Sequence, residues 1–249
     1  LSDLPPAFLT RPIAHRALHG LAGPENSRAA IAAAVTAGYA LEIDLQASAD
    51  GVALVFHDHN LERLTYAAGA VADRPAHELT DLPLRGTSEC IPTLREVLAL
   101  VAGRAPLLIE VKDQSRTLGP VDGRLEADTA AALRGYQGPV AVMSFNPHSM
   151  AAMARLAPDI PRGLVTCAFA PEDWPGVPHD RLAELATLNA VAATGASFIS
   201  HEWQLLDMAP VAALKAQGMP VLCWTIRDTA QEAQARHVAD NITFEGYTP

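Results

Sequence analysis

Four short apolar runs in the first half of this chain end on side chains that can carry charge or move a proton. Ile13-Ala14 ends on His15-Arg16, Ala40-Leu41 on Glu42-Ile43-Asp44, Leu54-Val55-Phe56 on His57-Asp58, and Leu107-Leu108-Ile109 on Glu110-Val111-Lys112. Residues two apart on a strand share a face, so Glu42 lies with Asp44 and Glu110 with Lys112. Three carboxylates gathered in apolar surroundings cannot all stay ionised without a counter-charge. One divalent cation resolves the conflict, and the oxygen-only set of Glu42, Asp44 and Glu110 suits Mg²⁺ or Ca²⁺ better than Zn²⁺. With His15 and His57 beside such an ion and Arg16 and Lys112 as further cations, the inventory is that of phosphodiester cleavage. Metal and cations neutralise charge developing on phosphorus, one imidazole takes a proton from the nucleophile, and the other returns one to the leaving alkoxide.

Any one of these residues alone reads as an ordinary exposed or hydrogen-bonded strand end; their joint occurrence on consecutive apolar runs carries the argument. The remaining histidines, His19, His59, His77, His148, His179, His201 and His237, read as structural, with His19 and His201 nearest to predicted strand ends. Trp224, which ends a later apolar run on the same rim, joins Arg16 and Lys112 as a substrate-contacting residue, although a core role fits it equally well.

Elements that bring such residues together are visible in the period of the sequence. Short apolar runs alternate with Ala-rich segments of helical spacing, the rhythm of βα units. Strands are expected at 12–15, 41–45, 106–111, 140–144, 163–166, 197–200, 221–225 and 241–244, and helices at 27–37, 93–102, 125–135, 147–156, 180–193, 208–217 and 229–236. Eight strands joined by seven crossovers is the pattern of a (β/α)8 TIM barrel, an α/β fold whose active groups sit at the carboxyl ends of the strands. Asn26 or Ser27 can cap the first of these helices and Gly38 end it, Thr93 and Glu96 have capping-box spacing, and Gly218 precedes Met219-Pro220.

One stretch departs from the rhythm. Asp50-Gly51 between two apolar runs signals a two-residue hairpin with both residues at positive φ, which pairs Ala49 with Val52 and sets His57 opposite Asp44. Residues 58–91 are irregular and rich in Thr, Gly, Pro and charge, and read as a small cap inserted over the barrel mouth, a natural place for substrate selectivity.

A chain of 249 residues matches one catalytic barrel domain, spanning 1–249, and its 49% hydrophobic content excludes a disordered chain. The net charge of −10 opposes nucleic acid and anionic membranes, so an anionic substrate depends on local cations or a metal. No run of about 18 apolar residues occurs, so no stable membrane insertion is expected. Cys90, Cys167 and Cys223 are odd in number and widely spaced, which argues against a disulfide framework or zinc site and for the cytoplasm; a leader removed on maturation would leave no trace. The expected partner is a small-molecule phosphodiester, and nothing in the sequence fixes an oligomeric state.

At the same residues the chain resembles the glycerophosphodiester phosphodiesterase family. The family's pattern is His-Arg-Gly, Pro-Glu-Asn-Thr, Glu-x-Asp, Asp-Gly, His-Asp and Glu-x-Lys. Here it reads His15-Arg16-Ala17, Pro24-Glu25-Asn26-Ser27, Glu42-Ile43-Asp44, Asp50-Gly51, His57-Asp58 and Glu110-Val111-Lys112. The resemblance implies a divalent metal on Glu42, Asp44 and Glu110, acid/base work by His15 and His57, and phosphate contacts from Arg16 and Lys112. It also implies hydrolysis of glycerophosphodiesters to glycerol 3-phosphate and an alcohol, by direct attack of water or through a cyclic phosphate. Two positions depart from the pattern: Ala17 replaces Gly, and Ile242-Thr243-Phe244-Glu245-Gly246-Tyr247 stands where many members have Thr-Asp and Pro. Two other readings fit the same barrel: a lipid-directed phosphodiesterase of phospholipase D or C type, which would need a basic or apolar landing surface, and an inactive barrel that binds a phosphate ligand.

Overall fold

The computed structural model describes residues 3–249. Its strands are β1 (Ile13–Ala14), β2 (Ala40–Ala47), β3 (Ala53–Val55), β4 (Leu107–Val111), β5 (Val140–Ser144), β6 (Arg162–Thr166), β7 (Phe198–Glu202), β8 (Val221–Ile226) and β9 (Asn241–Phe244). Helices are α1 (Ala7–Thr10), α2 (Arg28–Ala37), α3 (Ala76–Leu79), α4 (Leu94–Val101), α5 (Arg124–Leu133), α6 (Pro147–Leu156), α7 (His179–Ala186), α8 (Ala190–Thr194), α9 (Ala209–Ala216) and α10 (Thr229–Ala235). Parallel pairing runs β1-β2-β4-β5-β6-β7-β8-β9 and returns from β9 to β1, so the sheet closes into the expected (β/α)8 barrel, with β3 antiparallel on β2.

Strand parity sorts the side chains. Leu41, Ile43 and Leu45 on β2 and Leu107, Ile109 and Val111 on β4 pack outward into the cluster that the helices cover. Ala40 and Leu108 point the other way, into an interior cluster with Ile13, Ala141, Val165, Phe198 and Leu222. Glu42, Asp44, Glu110 and Lys112 have that same inward parity, and continue the interior rows to the carboxyl ends of their strands. Gly163 on β6 lies beside Phe198 on β7, and a Cβ there would strike the Phe198 ring. The amino end of the barrel is closed by α1, a helix too short to announce itself by periodicity. Leu4 and Phe8 join the interior cluster, and Asn241 Nδ2 donates to the carbonyls of Phe8 (2.7 Å) and Arg11 (2.6 Å).

Helix ends follow local chemistry. Ser27 caps α2 by accepting from Ala30 N–H, and Gly38, at φ 81°, ends it. Thr93 and Glu96 form the reciprocal capping box of α4. The single helix expected at 180–193 is instead α7 and α8. Leu188 sits at φ 57° between them, and the Thr187 hydroxyl donates to Glu184 O and accepts from Asn189 N–H, competing with the helical pattern.

The hairpin after β2 also differs from the expected one. Leu45 pairs with Val55, Gln46 with Leu54 and Ala47 with Ala53, and Ser48 N–H donates to Val52 O. The loop is therefore the three residues Ala49-Asp50-Gly51; of the dipeptide only Gly51 has positive φ, at 81°. Register shifts by one, so Asp44 faces Phe56, whose N–H donates to Asp44 O at 3.0 Å, and His57 follows one residue later. Residues 58–91 carry a 3₁₀ turn at Val71–Asp73, α3 and isolated bridges. Leu61, Val71, Leu79, Leu84 and Ile91 pack with Leu54 and Phe56 into a separate apolar cluster. Among the described residues no helix is long and apolar enough to cross a membrane. Cys90, Cys167 and Cys223 are free, and burial pushes the Cys167 thiol up to about 11 and that of Cys223 to about 12.

Candidate active site

One cavity of about 190 Å³ at the carboxyl end of the barrel is lined by His15, Arg16, Glu42, Asp44, His57, Glu110, Lys112 and Trp224, so the strands deliver every predicted site residue to one place. Glu42, Asp44 and Glu110 are buried, and each offers an oxygen within 4.8 Å of the others. Asp44 and Glu110 are register partners on β2 and β4. Lys112 Nζ bridges them, 2.9 Å from Asp44 Oδ1 and 2.8 Å from Glu110 Oε1.

The chain turns out of β1 through two consecutive left-handed residues, Arg16 (φ 51°) and Ala17 (φ 65°), which is why the first strand is shorter than expected. This turn aims Arg16 N–H at Glu42 Oε2, 2.8 Å away. The Arg16 guanidinium donates from Nη1 to Glu25 Oε1 at 3.0 Å and places Nε 3.6 Å from Asp44 Oδ2. Ala17 thus occupies a backbone conformation that glycine adopts at less cost. Asn26, also left-handed at φ 60°, donates from Nδ2 to Asp44 Oδ2 at 2.9 Å and accepts from Asp44 N–H at 3.3 Å. Ser27 is the cap, and Asn26 holds a carboxylate.

Charge balance in this cluster is incomplete. Burial, followed by the charges of Asp44 and Glu110, pushes the Glu42 carboxyl well above the usual range. Burial acts the same way on Asp44, but Lys112, His57 and Arg16 outweigh it and hold that carboxyl well below its usual range. Glu42 Oε1 and Arg16 Nε are buried with no hydrogen-bond partner among the described residues. An orphaned carboxylate oxygen among three acids calls for a cation, and an orphaned guanidinium N–H beside it for an anion. The residues present therefore fit a hard divalent ion held by oxygen donors.

Both histidines are held through Nδ1. His15 Nδ1 lies 2.6 Å from Glu245 Oε2, and His57 Nδ1 lies 2.7 Å from Asp58 Oδ1, which leaves Nε2 of each for proton transfer. Burial lowers the His15 pKa, against the raising effect of Glu245. Glu245 is itself fixed by Arg227, at 2.8 Å from Nε and 2.7 Å from Nη2, and the hydrogen bond from His15 holds its carboxyl well below the usual range. Asp58 is gripped by Arg63, which also binds Glu25. Glu25, Asn26, Asp58 and Glu245 were not singled out as site residues from sequence. A usable signal existed for Glu245, since it too follows an apolar strand.

Trp224 donates from Nε1 to Ser200 O at 3.0 Å and packs edge-on to Phe145 at 5.6 Å, so it is wall and structure together. His201 is fully buried between the Thr166 hydroxyl (2.7 Å) and Leu205 O (3.2 Å), in keeping with a structural residue. A second cavity of about 510 Å³ shares His57, Glu110, Lys112 and Phe145 with the first and extends past His59, Asn60, Arg116 and Trp174.

The sequence profile described as the Glycerophosphoryl diester phosphodiesterase family matches residues 15–241. The Bacillus subtilis protein YhdW, whose name assigns it provisionally to the glycerophosphodiester phosphodiesterases, is 27% identical over 242 residues, 93% of each chain. A glycerophosphodiester phosphodiesterase of Caldanaerobacter subterraneus is 30% identical over 161 residues, 61% of this chain and 65% of that one. Among solved structures, an Oleispira antarctica phosphodiesterase in complex with the product sn-glycerol-3-phosphate superposes with a TM-score of 0.76 at 26% identity, covering 96% of this chain and 94% of that one. With its barrel, its clustered acids and a profile match spanning most of its length, the chain belongs to the glycerophosphoryl diester phosphodiesterase family of hydrolases.

Proposed function

We propose that this enzyme hydrolyses glycerophosphodiesters to glycerol 3-phosphate and an alcohol, using one divalent cation and two histidines. The observation that carries the reading is the convergence of Glu42, Asp44 and Glu110 on one point beneath two imidazoles whose Nδ1 atoms are already engaged. In this reading Glu42, Asp44 and Glu110 hold Mg²⁺ or Ca²⁺, which when bound lowers the energy of negative charge on the phosphoryl oxygens. Arg16 Nε and the third N–H of Lys112 contact the same oxygens, because the other Lys112 donors are taken by Asp44 and Glu110.

In this reading the two cavities separate the acid and base roles. His57 borders both, whereas His15 lines only the first. His15, kept neutral by burial and oriented by Glu245, takes the proton from the attacking hydroxyl or water. As the nucleophile's oxygen bonds to phosphorus, the ester P–O bond breaks toward the second cavity, and His57 Nε2 protonates the departing alkoxide; where the nucleophile is the glycerol hydroxyl, a water then opens the cyclic phosphate to glycerol 3-phosphate with the two proton roles reversed. That cavity, bordered by Phe145, Trp174, Arg116 and residues of the 58–91 segment, receives the alcohol and selects it.

Glycerophosphocholine, glycerophosphoethanolamine, a lysophospholipid and phosphatidylinositol, assayed with Mg²⁺, Ca²⁺ or chelator, test the function. Glycerol 3-phosphate should appear from the water-soluble diesters only with metal; undiminished turnover in chelator would overturn the metal assignment. A diester with a p-nitrophenol leaving group tests the roles. His57→Ala should keep most of its activity on that ester, which needs no acid, while His15→Ala should lose activity on every ester. Equal losses in both variants on both kinds of ester would refute the division.

A further inference from the structure

The geometry points to a second cation site, separate from the three carboxylates, in which His15, His19 and Glu245 bind a transition-metal ion of the Zn²⁺ class and thereby switch the enzyme off. One ligand atom from each of these three residues lies within 4.8 Å of the others. Glu245 Oε2 is the hub, 2.6 Å from His15 Nδ1 and 3.5 Å from His19 Nε2. Its second oxygen is occupied by Arg227, which fixes the carboxylate with Oε2 turned to the imidazoles.

Holding His15 in place requires only one imidazole on Glu245, so the role of Glu245 above leaves His19 unexplained. His19 Nε2 is buried and, at 3.5 Å from Glu245 Oε2, makes no hydrogen bond among the described residues, and a buried ring nitrogen without one is a costly feature to keep. A metal ion accounts for it. Zn²⁺ held tetrahedrally at about 2.0–2.1 Å from nitrogen and oxygen places its ligand atoms about 3.3 Å apart, a separation bracketed by the two distances here. Two nitrogens and one oxygen favour Zn²⁺, Co²⁺ or Ni²⁺ over Mg²⁺, in contrast to the oxygen-only carboxylate set. Binding replaces the proton between His15 Nδ1 and Glu245 and releases it to solvent. The loss of activity rests on the reading of His15 as the base, since an imidazole bearing a cation on Nδ1 is a poor proton acceptor at Nε2; the binding itself does not rest on it.

The test titrates the full chain with Zn²⁺, and in parallel with Co²⁺ as an absorbing probe, while saturating Mg²⁺ occupies the carboxylates. One equivalent of Co²⁺ should give the visible absorption of a tetrahedral nitrogen/oxygen site, and Zn²⁺ should suppress ester hydrolysis in step with binding. His19→Gln should weaken Zn²⁺ affinity by about tenfold or more and move the inhibition curve by the same factor, whereas His148→Gln, on an exposed residue at the start of α6, should change neither. Unchanged Zn²⁺ affinity in His19→Gln, or Zn²⁺ binding that vanishes as Mg²⁺ is raised, overturns the proposal. Should the native chain hydrolyse no ester, the proposed function fails while the metal titration still decides this site.

Discussion

Asn26 lines neither active-site cavity, yet it holds Asp44 twice, donating from Nδ2 to the carboxylate and accepting from the Asp44 N–H. Groups that orient a metal ligand are worth about 10- to 100-fold in metal affinity or activity. On the proposed reading of Asp44 and Glu42 as metal ligands, Asn26→Ala is expected to lower kcat/KM by about that factor, with partial recovery as Mg²⁺ is raised; Glu42→Gln should show no such recovery. This role was hidden in the sequence because Asn before a helix is also a good cap, and only the left-handed backbone at Asn26 separates the two uses. The inward row of Glu42, Asp44, Glu110 and Lys112 was legible, since a period of two fixes which residues share a face. His201 carries a different consequence. Burial drives its pKa down to about 4, against the raising effect of Leu205 O, so the folded protein keeps it neutral where the unfolded chain, near 6.5, is protonated. Between about pH 6.5 and 4 the unfolded state binds the extra proton, and stability falls as pH falls through that window, by up to about 3 kcal/mol from this residue. Denaturant midpoints at pH 7 and pH 4.5 should converge more in His201→Gln than in the native chain.

Among the elements, α1 shows how a four-residue helix can matter. Phe8 is fully buried within the interior cluster, and Phe8→Ala should cost about 3–5 kcal/mol of unfolding free energy, with kcat almost unchanged because the cavity lies at the opposite end of the barrel. The hairpin after β2 makes the converse point about legibility. Asp-Gly serves a two-residue turn with both residues at positive φ and a three-residue loop in which only Gly is; the dipeptide alone does not choose between them. The other register moves His57 by one place, yet it still lines the cavity, its Nδ1 held by Asp58, which Arg63 grips in turn. The break between α7 and α8 was hidden for a similar reason. Leucine at positive φ has no sequence signature, and the apolar spacing runs on through Leu188 and Val191.

For the molecule as a whole, the proposed divalent ion, binding only the folded state, couples function to stability. At a free concentration 100 times its dissociation constant such an ion adds about 2.7 kcal/mol, which for a chain of this size corresponds to a rise in Tm of roughly 5–10 °C. Calorimetry with Mg²⁺ and with chelator should show that difference, and Glu110→Gln should remove it. The barrel closure has a further consequence. β1 contributes only Ile13 and Ala14, so the seam to β2 and β9 consists of the pairs Ile13 with Ala40 and Thr243, and Ala14 with Leu41 and Phe244, whereas β2 and β4 pair over five residues. Closure therefore rests on short ladders, extended at their ends by His15 N–H to Phe244 O and Ala40 N–H to Pro12 O, and opening there is expected to cost less than between β2 and β4. In hydrogen–deuterium exchange the amides of β1 and β9 are expected to lose protection before those of β4 and β5. His15 and Arg16 extend directly from that seam, so a part of the barrel expected to open more readily than β2 and β4 is also the part that carries the proposed base.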